Sequence, residues 1–115
     1  MNKVVIVAFN GDPTCYAHAL LNALDMQERG YDVKLVIEGA ATKMVVDQEK
    51  DTAPFHGLWT KVKGASLIDA VCRACATKMH SIDAAAKLEL PVVGDLAGHP
   101  PLAPYLEDGY QIITI

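Results

Sequence analysis

Apolar runs and amphipathic stretches take turns along this chain. Lys3 to Phe9 is almost unbroken apolar sequence rich in valine, the pattern of a strand buried on both faces. Asn10-Gly11-Asp12-Pro13 breaks it, and Asp12 can cap a helix that carries Pro13 in its first turn. Ala17, Leu20, Leu21 and Leu24 make one apolar face of that helix and Gly30 ends it. Asp32 to Glu38 reads as a second strand, Gly39 to Thr42 as a loop, and Lys43 to Gln48 as a short helix. The polar stretch Gln48-Glu49-Lys50-Asp51-Thr52 reads as an exposed connection. Pro54 opens a helix with Leu58 and Val62 on one face, running to Gly64. Leu67 to Cys72 is a third strand, followed by a helix from Arg73 to His80. Ser81 can cap a further helix over Ile82 to Leu88. Pro91 to Gly94 is a short fourth strand and Asp95 to His99 a loop. Pro100 starts a last helix, Gly109 ends it, and Tyr110 to Ile115 is the fifth strand.

Strands therefore alternate with helices from end to end. That order predicts an α/β domain with a parallel sheet and helices on both faces, because each crossover returns with the same hand. The 115 residues suit a single domain, 1–115, with one core. No repeat, linker or low-complexity tract divides it.

Composition narrows the function classes. With 51% hydrophobic but only 6% aromatic residues, the core must be built mainly from Ala, Val, Leu and Ile. The net charge is −4 and no basic stripe exists, so nucleic acid is not an expected partner. The apolar run from Val4 to Phe9 is too short for a signal peptide or a membrane span. A cytoplasmic location is expected, without membrane association. Structural disulfides are rare there, so Cys15, Cys72 and Cys75 are core fillers, metal ligands or reactive thiols.

Cys72 is the first candidate. It falls where a strand ends and a helix begins, and open α/β sheets bind ligands at the carboxyl ends of their strands. Free backbone N–H groups and the adjacent Arg73 would favour its thiolate. The plain alternative is a buried packing cysteine, and residue chemistry alone weighs the two equally. Cys75 completes a C-x-x-C that could close a redox disulfide, or pack inward. A zinc site from Cys72, Cys75 and His80 lacks a second ligand pair, so no metal site is expected within one chain; one completed across a subunit interface stays open. Cys15 is expected to pack and His18 to be a partly exposed helix residue. Phe55, Leu58 and Trp59 read as core or as a subunit contact. Neither Gly94-Asp95-Leu96-Ala97-Gly98-His99 nor Asn10-Gly11-Asp12-Pro13 matches a nucleotide-binding fingerprint, and no cofactor is expected. A small anionic ligand in a strand-end crevice is compatible with Asn10, Gly11, Gly39 and His99, which all follow strands; His99 is otherwise a solvated loop residue.

With these features in place, the chain resembles the DsrE/DsrF-like family of small sulfur-relay proteins over nearly its full length. The resemblance rests on the opening strand with its turn at Asn10-Gly11-Asp12-Pro13, the helix to Gly30, the strand ending in Glu38-Gly39-Ala40-Ala41, and above all the junction Val71-Cys72-Arg73-Ala74-Cys75. It implies a three-layer α/β/α sandwich with a five-stranded, mainly parallel sheet, and assembly into dimers, trimers or hexamers. It also implies that Cys72 accepts sulfane sulfur from a donor protein and passes it to an acceptor. Cys75 matches no residue that all such proteins need. Three functions follow: a persulfide carrier needing Cys72, a sulfurtransferase-like role; a dithiol redox module needing Cys72 and Cys75; and a non-catalytic oligomeric protein that binds small ligands.

Overall fold

The computed structural model describes residues 2–48, 50, 53 and 55–115. The chain forms β1 (Lys3–Ala8), α1 (Pro13–Glu28), β2 (Asp32–Ile37), a 3-10 turn (Gly39–Lys43) that runs into α2 (Met44–Asp47), and α3 (His56–Gly64). Then come β3 (Ile68–Cys72), α4 (Arg73–Lys78), α5 (Ile82–Lys87), β4 (Val92–Val93), α6 (Ala103–Glu107) and β5 (Gln111–Thr114). The five strands make one sheet in the order β4-β3-β2-β1-β5, and every pairing is parallel. The architecture is the expected three-layer α/β/α sandwich.

The strand alternation divides the core in two. Val4, Ile6 and Ala8 of β1 and Val33, Leu35 and Ile37 of β2 face a large cluster built with α1, α3 and the alanines of α4 and α5. Val5, Val7, Val36 and Ala70 face the opposite way, against Tyr110 and the side chains of Leu102 and Tyr105 around α6. The layers are unequal: the second face is covered by one five-residue helix and by polar pairs. The Tyr105 hydroxyl donates to Asp69, the Tyr110 hydroxyl donates to Asp32, and the Lys34 ammonium lies 3.4 Å from Asp69.

Most local signals act as expected. Asp12 accepts from the Thr14 and Cys15 N–H groups at 2.7 and 3.4 Å, so α1 starts where its cap dictates. The inward arc of α1 is different. Tyr16, Ala17, Ala19, Leu20 and Ala23 are buried, Leu24 packs at the margin, and Leu21 is 47% exposed. The buried arc is thus rich in alanine, and Leu21 falls outside it. Ser81 does not cap α5 with its side chain; its hydroxyl donates to the Ala76 carbonyl at 3.3 Å. The stretch read as a loop from Gly39 is a 3-10 turn, and the last helix starts at Ala103 instead of Pro100. Gln48 is buried rather than exposed; Glu49, Asp51, Thr52 and Pro54 lie outside the described residues. Trp59 is core, at 2% exposure, whereas Phe55 is on the surface. Among the described residues no helix is long and apolar enough to cross a membrane.

Tyr16 carries a buried hydroxyl with no hydrogen-bond partner among the described residues, and burial pushes its phenol far above the ordinary range. A buried polar group without a partner costs about 1–3 kcal/mol. Tyr16→Phe is therefore expected to raise stability in urea denaturation by about 1 kcal/mol. A clear loss of stability would show that the hydroxyl is held after all.

Candidate functional site

Five parallel strands all end on the same edge of the sheet. Ile37 pairs with Val71, and Cys72 pairs with Val93. Glu38 after β2, Cys72 at the end of β3 and the loop after β4 therefore leave the sheet side by side, with Phe9 after β1 one strand further on.

The loop after β4 places His99. Leu96 and His99 exchange backbone hydrogen bonds of 2.8 and 2.9 Å. Between them Ala97 and Gly98 both have positive φ, 50° and 95°, the pattern of a two-residue type I′ turn. The Gly98 carbonyl accepts the Ala74 N–H of α4 at 2.8 Å. A Cβ at Gly98 would stand 2.9 Å from the Ala74 Cβ. Position 98 therefore needs glycine twice, for its φ and for its closeness to α4. Gly94 lies closer still to Arg73, whose guanidinium donates to the Gly94 carbonyl at 3.1 Å. The two glycines thus bring the loop backbone against α4.

This docking delivers the imidazole to the cysteines. The Cys72 Sγ lies 3.0 Å from the His99 Nδ1 and the Cys75 Sγ 3.7 Å from the same nitrogen. All three atoms fall within 4.8 Å of one another, and both cysteines are free thiols. When Cys72 is a thiol it can donate to Nδ1, which puts the imidazole proton on Nε2. Cys72 is fully buried, while Cys75 and His99 face a cavity of about 650 Å³. Phe9, Glu38, Leu96 and Leu102 also line that cavity, and its walls are mostly apolar.

Electrostatics at Cys72 run opposite to the expectation. Burial pushes its thiol up to about 12; the Cys75 backbone N–H opposes the rise, and the Cys75 thiol and Glu38 add to it. Burial likewise raises the Glu38 carboxyl, and His99 draws it back down. Of the predicted sources of positive potential only the Cys75 N–H acts on the sulfur; the others are engaged elsewhere. The Arg73 guanidinium turns to Gly94, α4 has only six residues, and the Ala74 N–H is taken by Gly98.

The other candidates stay apart. Cys15 is half-buried and His18 exposed, and neither joins the cysteine cluster. His80 is exposed, and His99 occupies the place it was expected to take beside the cysteines. Asn10 uses its side-chain oxygen to accept the Asp12 N–H at 2.8 Å. Gly11 packs under Ala40 and Lys43, and Gly39 under the Phe9 ring; these three do not line the cavity. Sequence reasoning missed Glu38 as a site residue and His99 as the partner of the thiols. Their common signal is position: each follows a strand that flanks β3.

The relatives found by comparison with known proteins are themselves of unassigned function. The chain is 36% identical over 98 residues to the uncharacterized protein MJ0733 of Methanocaldococcus jannaschii, spanning 85% of this chain and 78% of that one. A 40-residue stretch is 50% identical to an uncharacterized protein of Archaeoglobus fulgidus, 35% of this chain and 66% of that protein. The structure of BT1422, a conserved protein of unknown function from Bacteroides thetaiotaomicron, superposes with a TM-score of 0.71 at 22% identity. That match covers 99% of this chain and 95% of the other, and shows a shared fold. No family model matches the chain.

The folded Cys72 thiol titrates above its ordinary value of 9.0. Its burial therefore favours the folded state fully below about pH 9, and that contribution fades as pH rises to about 12. Iodoacetamide near neutral pH is expected to label Cys75 well before Cys72, with Cys72 labelling accelerating as pH rises, read by peptide mass mapping. Arg73→Ala should leave the Cys72 rate unchanged. Fast neutral labelling of Cys72, or slowing by the Arg73 variant, would contradict this electrostatic account.

Proposed function

Starting from a chain that belongs to the family of the uncharacterized Methanocaldococcus jannaschii protein MJ0733, we propose that it is a cytoplasmic sulfur carrier in which Cys72 accepts sulfane sulfur. The observation that carries this reading is the 3.0 Å approach of the buried Cys72 Sγ to the Nδ1 of His99, which itself lines the apolar crevice. A thiol within hydrogen-bond reach of a base, with a third group beside the base, is the arrangement that activates a nucleophile. Glu38 is the candidate third group: it lines the same crevice as His99, and His99 draws its carboxyl down against the rise from burial.

The transfer balances without an outside oxidant. His99 takes the Cys72 proton, and the thiolate attacks the terminal sulfur of a donor persulfide. The donor S–S bond breaks and its electron pair leaves on the donor sulfur, which collects a proton. The products are a Cys72 persulfide and a donor thiol. An acceptor protein reverses the step. The DsrE/DsrF-like resemblance supports the same role for Cys72, and with it a homo-oligomer. Phe9 and Leu96, 50% and 57% exposed at the crevice, offer apolar surface to a partner or a second copy. The dithiol reading keeps one specific support, the 3.7 Å approach of the Cys75 Sγ to the same nitrogen.

Intact-mass spectrometry of the reduced, metal-free protein after exposure to polysulfide separates these readings. Wild type should gain sulfur mass and Cys72→Ser should not. His99→Ala should load more slowly by about a hundredfold, and Cys75→Ser should still load. Loss of two hydrogens in place of a gain would establish the dithiol module. No change in mass would overturn both.

A further inference from the structure

The geometry points to a second property of the same edge: Cys72, Cys75 and His99 form a binding site for one thiophilic divalent cation, for which zinc is the test ion. Three donors of the type that zinc selects converge here, with the Sγ and Nδ1 atoms all within 4.8 Å. A tetrahedral centre with ordinary zinc–sulfur and zinc–nitrogen bonds sets its sulfur and nitrogen ligands about 3.6 Å apart and its two sulfurs about 3.8 Å apart. The Cys72–His99 and Cys75–His99 separations, 3.0 and 3.7 Å, bracket the first of these values, and the two sulfurs lie within 4.8 Å of each other. All three donors stand on backbone fixed for other reasons: Cys72 on β3, Cys75 on α4 and His99 on the turn bonded to Ala74.

The neighbours decide what kind of centre this is. A structural zinc site is closed by four protein ligands, whereas a reactive one keeps a position free. Among the described residues the close set holds three donors, and two of them, Cys75 and His99, face the cavity. The fourth position therefore opens into it, beside the Glu38 carboxyl that lines the same space. Two thiolates neutralise a divalent cation, which suits a half-buried site where an uncompensated charge would be costly. Cys72 held by a metal cannot accept sulfur. Metal occupancy and sulfur loading are then competing states of one thiol, and free metal would set which is populated.

The test uses reduced full-length protein exchanged into zinc or cobalt(II). Wild type should retain one ion per chain by elemental analysis, release about two protons per ion as the thiols coordinate, and show thiolate-to-cobalt charge-transfer absorption. Cys75→Ser and His99→Ala, checked for folding by circular dichroism, should each weaken binding by at least about tenfold. Zinc-loaded wild type should resist polysulfide, and chelation should restore its uptake. The Cys75→Ser variant separates this inference from the carrier reading: it should bind metal poorly yet still take up sulfur. No retained ion in wild type, or full affinity in both folded variants, would overturn the metal site whatever the sulfur assay shows.

Discussion

All five strands run the same way, and the rest of the structure depends on that constraint. A parallel sheet cannot be closed by tight hairpins, so the chain crosses back after every strand and delivers each exit to one edge. The loops after β2 and β4 are thereby gathered around the end of β3, although Glu38, Cys72 and His99 are far apart in sequence. The sheet supplies coarse placement. The fine placement comes from one backbone hydrogen bond, Ala74 N–H to the Gly98 carbonyl, which ties the last loop of the site to the first turn of α4.

The apolar pattern announced the fold because buried parallel strands are rich in continuous hydrophobic runs: Val4 to Ala8 is one, and β2 and β3 carry shorter ones, Leu35 to Ile37 and Ala70 to Cys72, beside the charged Lys34 and Asp69. Helix ends were legible where a side chain or a proline fixes them, as at Asp12 and Pro13. They were less legible where tertiary contacts decide: Ser81 turns its hydroxyl to the Ala76 carbonyl instead of capping α5. Cys72 and Cys75 could be singled out because their spacing is local. His99 could not be joined to them, since its position depends on strand order and on a turn with two positive φ values. The ionisation of Cys72 was unpredictable for a related reason: a strand-to-helix junction suggests positive potential, but the depth of the sulfur and the direction of Arg73 are tertiary facts.

The two faces of the sheet divide the labour. The α1 and α3 side carries the continuous apolar core, with Leu20, Leu35, Trp59 and Val62 sealed from solvent. The α6 side is thinner and relies on tyrosine–aspartate pairs. There Asp32 accepts from Tyr110 at 2.6 Å, and burial together with that bond holds the phenol up to about 12. Lys3 sits 4.5 Å over the same ring, joining the start of β1 to the strand beside it. Cys72 belongs to neither cluster, and the crevice beside it is walled by Leu102 and Ala103 of the thin side.

The shortness of β4 has a dynamic consequence. Its two residues, Val92 and Val93, sit at the end of the sheet and pair with β3 alone. A two-residue edge strand has few backbone bonds to lose, and local opening begins where such bonds are fewest. The turn bearing His99 follows directly from it, while Cys72 belongs to the interior. One half of the site therefore stands on an interior strand, and the other half follows a short edge strand and is tied back by the Ala74–Gly98 bond. Fraying of the margin would lift the imidazole away and bare the sulfur without disturbing the core, so access to Cys72 is a matter of breathing at the rim.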